Sequence, residues 1–185
     1  MFRLPIDYKI ETQRCIIEMP KIENAKEYFY LVDDDISKFM TWWRLEDVKA
    51  YEEFIDKKRE NWENQRGFEA IVKLKETWEM IWCFWIVEYF EKNKSVEIGY
   101  WLWKKYWWNW IIPECVEKMK EISFDVIWAE KVIITTIKEN MNSRRVAEKS
   151  WFKLDWILRN DMYVKWAFFD KVVYSFLREE YLEME

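Results

Sequence analysis

The sequence predicts a mixed α/β or α+β domain built on one central sheet. Three observations carry this. Apolar residues recur at helical spacing in some segments and become β-branched or aromatic runs in others. The segments interleave as β-α-α-β-β-β-α-β-α-β-β. No repeat or low-complexity linker divides the 185 residues, a one-domain length.

The elements follow in order. Arg14 to Met19 reads as a short strand that Pro20 stops. Lys21 to Val32 reads as a helix, with Ile22, Ala25, Tyr28 or Phe29, and Val32 at helical spacing. Asp33, Asp34 and Asp35 interrupt it and can cap the next turn. Leu45 to Gln65 is the longest helical pattern, with Val48, Tyr51, Phe54 or Ile55, and Trp62 on one face; Gly67 ends it. The period then changes. Phe68 to Leu74, Met80 to Phe90 and Ser95 to Leu102 read as strands, the last with Val96, Ile98 and Tyr100 on one side. Ile111 to Ile127 returns to helix, with Pro113 tolerated in its first turn. Lys131 to Ile137 is β-branched and strand-like, and Asn142 to Lys149 is a short charged helix. Phe152 to Arg159 and Phe168 to Leu177 are strands joined by a polar turn region.

Composition excludes several functions. With 51% apolar and 35% charged residues, the chain is neither disordered nor a disulfide scaffold. A net charge of −5 without a basic patch argues against a nucleic-acid partner. The absence of histidine removes His-based triads and His-ligated metal sites, and no metal is expected. Cys15, Cys83 and Cys115 are far apart and form no CxxC pattern. They read as buried hydrophobes in a reducing cytoplasm. Met1 to Lys9 lacks the apolar run of a signal peptide, and no uncharged apolar window is long enough to span a membrane.

Two counts stand out: 15 Trp and only 2 Gly. Ordinary usage would give about 13 glycines in a chain this long.

Three stretches together resemble the GNAT superfamily of N-acetyltransferases, in the Rim-type branch that acetylates protein N-termini and other small amines. They are Ile10-Glu11-Thr12-Gln13-Arg14, Ser95-Val96-Glu97-Ile98-Gly99-Tyr100-Trp101-Leu102, and Asn140 to Lys149 with Phe152 beyond it. The last is similar to the family's N-x-x-S-x-R-V-x-E-K-x-G-F. Leu158 to Asp161 and Val173 to Glu180 look like its closing strands. The resemblance spans nearly the whole chain. It implies the GNAT acyl-CoA N-acyltransferase fold, a mostly antiparallel sheet flanked by helices, in one domain over residues 1–185.

The departures are systematic. Tryptophan stands where the family has glycine at Trp103, Trp108, Trp110, Trp151 and Trp156. The same reading extends to Trp78, Trp82, Trp85, Trp128 and Trp166. Three accounts compete. The tryptophans are UGA codons that the cell reads as glycine; or glycines were replaced by design; or the chain is a relic whose cofactor site has been filled. An indole at position 108 or 110 would obstruct a backbone that must approach phosphates closely.

The resemblance implies direct acetyl transfer from acetyl-CoA to a primary amine, without a covalent enzyme intermediate. The loop from Lys105 to Ile111, including Trp108, Asn109 and Trp110, would take the pyrophosphate at a helix N-terminus, with Lys105 as a nearby cation. The backbone of Tyr100, Trp101 and Leu102 would pair with pantetheine like an added strand. Asn140 would contact the pantetheine arm or the strand end. Ser143 and Asp161 are the family's candidates for proton handling, and Glu97 is a third. Each has a plainer reading: Ser143 as a helix cap, Asp161 as a turn residue, Glu97 as a solvated strand residue. Arg144 and Arg145 read as a solvated face or a structural ion pair. The stretch Asp33 to Arg44 would shape the acceptor pocket, its acids suiting a cationic amine or forming only a solvated turn. Family members are often homodimers, which leaves self-association open. The alternative to the enzyme is an inactive GNAT-fold scaffold with a blocked cofactor loop, acting at most as an interaction module.

Overall fold

The computed structural model describes residues 5–64, 67–106 and 111–184. The chain divides into two compact units. One holds the described residues up to Ile86 together with Tyr100 to Ile111; the other holds Val87–Gly99 and the residues from Ile112 onward. The strands are mostly antiparallel, in the order β1-β2-β3-β4 and then β5-β6-β8-β7.

In the first unit, β1 (Ile10–Glu11) pairs with β2 (Cys15–Glu18), β2 with β3 (Phe68–Leu74), and β3 with β4 (Met80–Phe90), all antiparallel. Their apolar runs are buried on both faces, so they read as continuous rather than alternating. Between β2 and β3 lie α1 (Ala25–Leu31), α2 (Asp34–Ser37) and α3 (Val48–Glu63). Asp33 caps α2, its carboxylate accepting from the Ile36 N–H at 2.9 Å, and Asp47 caps α3 through the Ala50 N–H at 2.8 Å. Tyr28, Tyr51, Ile55, Ile71, Cys83 and Trp101 form the core of this unit.

In the second unit, the first half of β5 (Ser95–Leu102) runs parallel to β6 (Lys131–Ile137), pairing from Ser95 to Ile98. β6 pairs antiparallel with β8 (Ala167–Leu177), and β8 with β7 (Lys153–Val164). Between β5 and β6 runs α4 (Ile111–Glu121), widening to a π turn over Ile122–Val126. α5 (Met141–Lys149) joins β6 to β7, and α6 (Arg178–Leu182) follows β8. Lys120 is fully buried on α4. Its ammonium pairs with Glu117 at 2.7 Å, donates to the Ser150 carbonyl at 3.2 Å and lies 4.1 Å from the Phe176 ring centroid. A buried lysine needs such partners, because an unpaired charge there is costly.

The expected turn region between Arg159 and Phe168 is mostly strand. β7 continues to Val164, and the chain reverses at Lys165 and Trp166 alone. Asp161 therefore sits inside β7, not in a turn. The register slips between Leu158 and Met162, where Asn160 takes a positive φ.

Among the described residues, seven other than glycine have positive φ, and four of these are tryptophan: Trp78, Trp128, Trp151 and Trp166. The other expected glycine sites that are described, Trp82, Trp85, Trp103 and Trp156, are not among them. Trp82 and Trp85 lie in β4 and Trp156 in β7, where extended backbone suits any side chain.

Candidate active site

The residues expected to hold the cofactor are divided between the two units. In the first unit they follow one continuous segment. Tyr100 is half-buried, its ring centroid 5.7 Å from that of Trp82. Trp101 is buried and meets Tyr28 edge-on at 6.1 Å. Leu102 ends β5. The Trp103 N–H then donates to the Ile81 carbonyl at 3.0 Å, fixing the exit of the strand.

A single 3-10 turn, Lys104–Tyr106, comes next, and salt bridges hold it on both sides. The Lys104 ammonium pairs with Asp33 at 3.1 Å and with Asp35. The Lys105 ammonium pairs with Glu79 at 3.2 Å, and the Tyr106 hydroxyl donates to the same carboxylate at 2.5 Å. That donation, with Lys105 alongside, holds the Glu79 carboxyl below its ordinary range. Hydrogen bonding to Tyr106 and Glu79 raises the Lys105 pKa in turn. Lys105 is therefore charged and still exposed. Sequence reasoning missed Glu79, which lies in the β3–β4 loop with nothing nearby to mark it.

Trp108, Asn109 and Trp110 lie outside the described residues. Ile111, buried, opens α4, with Pro113 in the first turn. First-turn N–H groups have no intrahelical partner and present a ready anion site. The first turn of this eleven-residue helix offers N–H donors of the kind that fit a pyrophosphate.

In the second unit, Asn140 is the N-cap of α5, its side-chain oxygen accepting from the Ser143 N–H at 3.2 Å. Ser143 is thus a first-turn residue and not the cap. Glu97 on β5 accepts from the Thr135 hydroxyl at 2.6 Å. Asp161 is exposed on β7, 3.7 Å from the Lys171 ammonium. Each of the three proton-handling candidates thus has a different partner. Arg144 is structural: its guanidinium donates to the Tyr174 hydroxyl at 3.1 Å and to the Lys138 carbonyl at 3.2 Å. Tyr174 donates onward to Glu148 at 2.8 Å. Burial pushes the Tyr174 pKa up, so the phenol stays protonated and links α5 to β8. Among the described residues no cluster of metal-ligating side chains exists, and no helix is long and apolar enough to cross a membrane.

A parallel β5–β6 pair followed by a helix and an antiparallel β6-β8-β7 close defines an acyltransferase-type fold. The family model for the acetyltransferase (GNAT) domain matches residues 14–153, and the chain belongs to that family. It is an acetyl-CoA-dependent N-acetyltransferase. A Bacillus subtilis relative, the uncharacterized N-acetyltransferase YoaA, is 22% identical over 170 residues, 91% of this chain and 96% of that protein. A solved Vibrio cholerae structure, described as a ribosomal-protein-serine acetyltransferase, has a TM-score of 0.85 at 18% identity, covering 94% of this chain and 99% of its own. The microcin C7 self-immunity acetyltransferase MccE, solved with acetyl-CoA and AMP, has a TM-score of 0.81 at 20% identity over 89% of this chain and 93% of its own.

Proposed function

We propose that this chain, acting as a single N-acetyltransferase-like domain in the cytoplasm, acetylates the α-amine of a protein N-terminus. The observation that carries the reading is the order and spacing of the Rim-like motifs along a chain whose residues 14–153 match the GNAT domain. The likeness to a ribosomal-protein-serine acetyltransferase supports the acceptor class. A small-molecule amine is the competing acceptor.

Acetyl-CoA supplies the acetyl group as a thioester. In the proposal the backbone of Tyr100, Trp101 and Leu102 pairs with pantetheine, and the loop from Lys105 to Ile111 takes the pyrophosphate. Lys105 can exchange part of its Glu79 pairing for phosphate, since exposed pairs are weak. Ser143 is assigned to the leaving thiolate, with Asn140 holding the first turn of α5 around it. Glu97 and Asp161 are the candidate bases for the amine proton. Glu97 is half-buried and held in place by the Thr135 hydroxyl, whereas Asp161 is exposed, so Glu97 is the better positioned of the two.

The test is a thermal-shift titration with acetyl-CoA, followed by mass analysis of peptides offered with free or blocked N-termini. Stabilisation by acetyl-CoA and a new acetyl group on free N-termini alone is the expected result. Acetylation of small amines with peptides untouched would overturn the acceptor assignment. No binding at all would return the chain to the blocked-scaffold reading. Ser143→Ala is expected to cut kcat by about 10²-fold, with unchanged unfolding. The pair Glu97→Gln and Asp161→Asn decides the base: the loss in kcat falls on Glu97→Gln.

A further inference from the structure

We infer that glycine occupies positions 78, 128, 151 and 166 in the protein as its own cell makes it, the codons being read there as glycine and not tryptophan. The argument rests on backbone geometry and stands apart from the acetyl-transfer reading.

Each of the four tryptophans fills the slot of a turn that requires left-handed backbone. α5 ends in a Schellman motif: the Phe152 N–H bonds the Ala147 carbonyl at 3.0 Å, and the Trp151 N–H bonds the Glu148 carbonyl at 3.2 Å. Trp151, at φ 66°, is the left-handed residue of that motif, where glycine is the usual occupant. After the π turn, the Ala129 N–H closes onto the Ser123 carbonyl at 2.9 Å across Trp128, at φ 60°. In the β7–β8 hairpin, Lys165 and Trp166 both have positive φ, the sign pattern of a type I′ turn, whose second central residue is most often glycine. In the β3–β4 loop, the Trp78 N–H bonds the Leu74 carbonyl at 2.8 Å, and Trp78 enters β4 at φ 59°. A side chain with a Cβ is disfavoured in this region, and a bulky aromatic most of all.

Little is gained in return. The four residues are 64%, 69%, 67% and 81% exposed in chain order, and their ring contacts are surface ones: Tyr163 edge-on to Trp166 at 6.4 Å and Arg178 over Trp128 at 5.7 Å. The distribution is also inverted. Among the described residues no glycine has positive φ, and a Cβ added at Gly67 would meet nothing within 4 Å. Fifteen tryptophans in 185 residues would place fewer than one among seven positive-φ positions by chance. UGA lies one base from a tryptophan codon and one base from a glycine codon, so a single decoding rule accounts for all four. A filled relic would not choose the same bulky residue at four unrelated exposed turns.

Two measurements test this. Unfolding of the chain as written is compared with Trp78→Gly, Trp128→Gly, Trp151→Gly and Trp166→Gly, with Trp43→Gly as a control: another exposed indole that lies outside the left-handed region. Each of the four should raise Tm by about 2–4 °C, and the control should not. A fall or no change at the four positions would overturn the geometric argument. Peptide masses of the protein isolated from its own cells should then show glycine at these positions; tryptophan would overturn the inference, whatever the Tm values. Acetyl-CoA binding enters neither readout, so failure here is distinct from failure of the proposed function.

Discussion

The tryptophans of the core and the tryptophans of the turns obey opposite rules. Trp62 lies against Phe68 with ring centroids 4.1 Å apart, and Trp101 meets Tyr28 inside the first unit. Both are buried, and their indoles fill space that no smaller side chain would fill. Trp78, Trp128, Trp151 and Trp166 are exposed and strain the backbone that carries them. The same residue type is thus a packing element in one setting and a misfit in the other. Backbone dihedral and burial together, not residue type, decide which.

The largest test of the contrast is in the core. Trp101→Ala should cost about 3–5 kcal/mol in denaturant unfolding, as expected for a large buried aromatic. Trp151→Gly should move the other way, gaining about 1–2 kcal/mol. At the opposite end of the same helix, Asn140→Ala should lose about 1 kcal/mol, because it removes a working cap. A loss at Trp151 as well would erase the difference between the two ends. Trp82 sharpens the comparison from within the core. Its indole N–H is buried with no hydrogen-bond partner. Trp82→Phe should therefore cost less than about 1 kcal/mol, since the volume lost is offset by removing an unsatisfied donor.

The smallest effect concerns the charged turn. The Glu79 carboxyl is held below its ordinary value of 4.5 first by the Tyr106 hydroxyl and then by Lys105. A depressed folded pKa stabilises the fold above the unfolded value, and that contribution is lost as pH falls through the folded value. Tyr106→Phe should therefore lower Tm at pH 7 slightly and flatten its decline as pH drops below 4.5. An unchanged acid profile would show that the Glu79 pairing is energetically silent.

Much of the fold is legible in the sequence, for reasons that vary by element. Phe68–Leu74, Met80–Phe90, Ser95–Leu102 and Lys131–Ile137 are strands with the expected bounds. Their β-branched and aromatic runs have no helical period to compete with. Of the three acids Asp33, Asp34 and Asp35 that the sequence offers as caps, Asp33 is the one that caps. The β7–β8 turn was misplaced because its strongest signal, a residue pair ending in glycine, reads as Lys165-Trp166. Trp82 and Trp85 share the reading as turn or strand glycine positions with the turn tryptophans and lie in β4, because residue type alone does not report φ. At the site, motif spacing singles out Ser143 and Asn140 as candidates. Asn140 proved to be a cap, a role the spacing cannot separate from ligand contact. Glu79 and Tyr174 were invisible because their partners, Tyr106 with Lys105 and Arg144 with Glu148, are brought to them only by tertiary pairing.

The exposed turn indoles also set how the protein would look to light. Indole emission shifts to longer wavelength in water, and the four turn indoles add to the exposed Trp43 and Trp156, so the chain emits at longer wavelength while its core is intact. With glycine in the turns, the buried indoles at 62, 82 and 101 would weigh more heavily in the spectrum, and the emission would move to shorter wavelength. An unfolding curve followed by fluorescence would then gain amplitude with no change in the transition it reports.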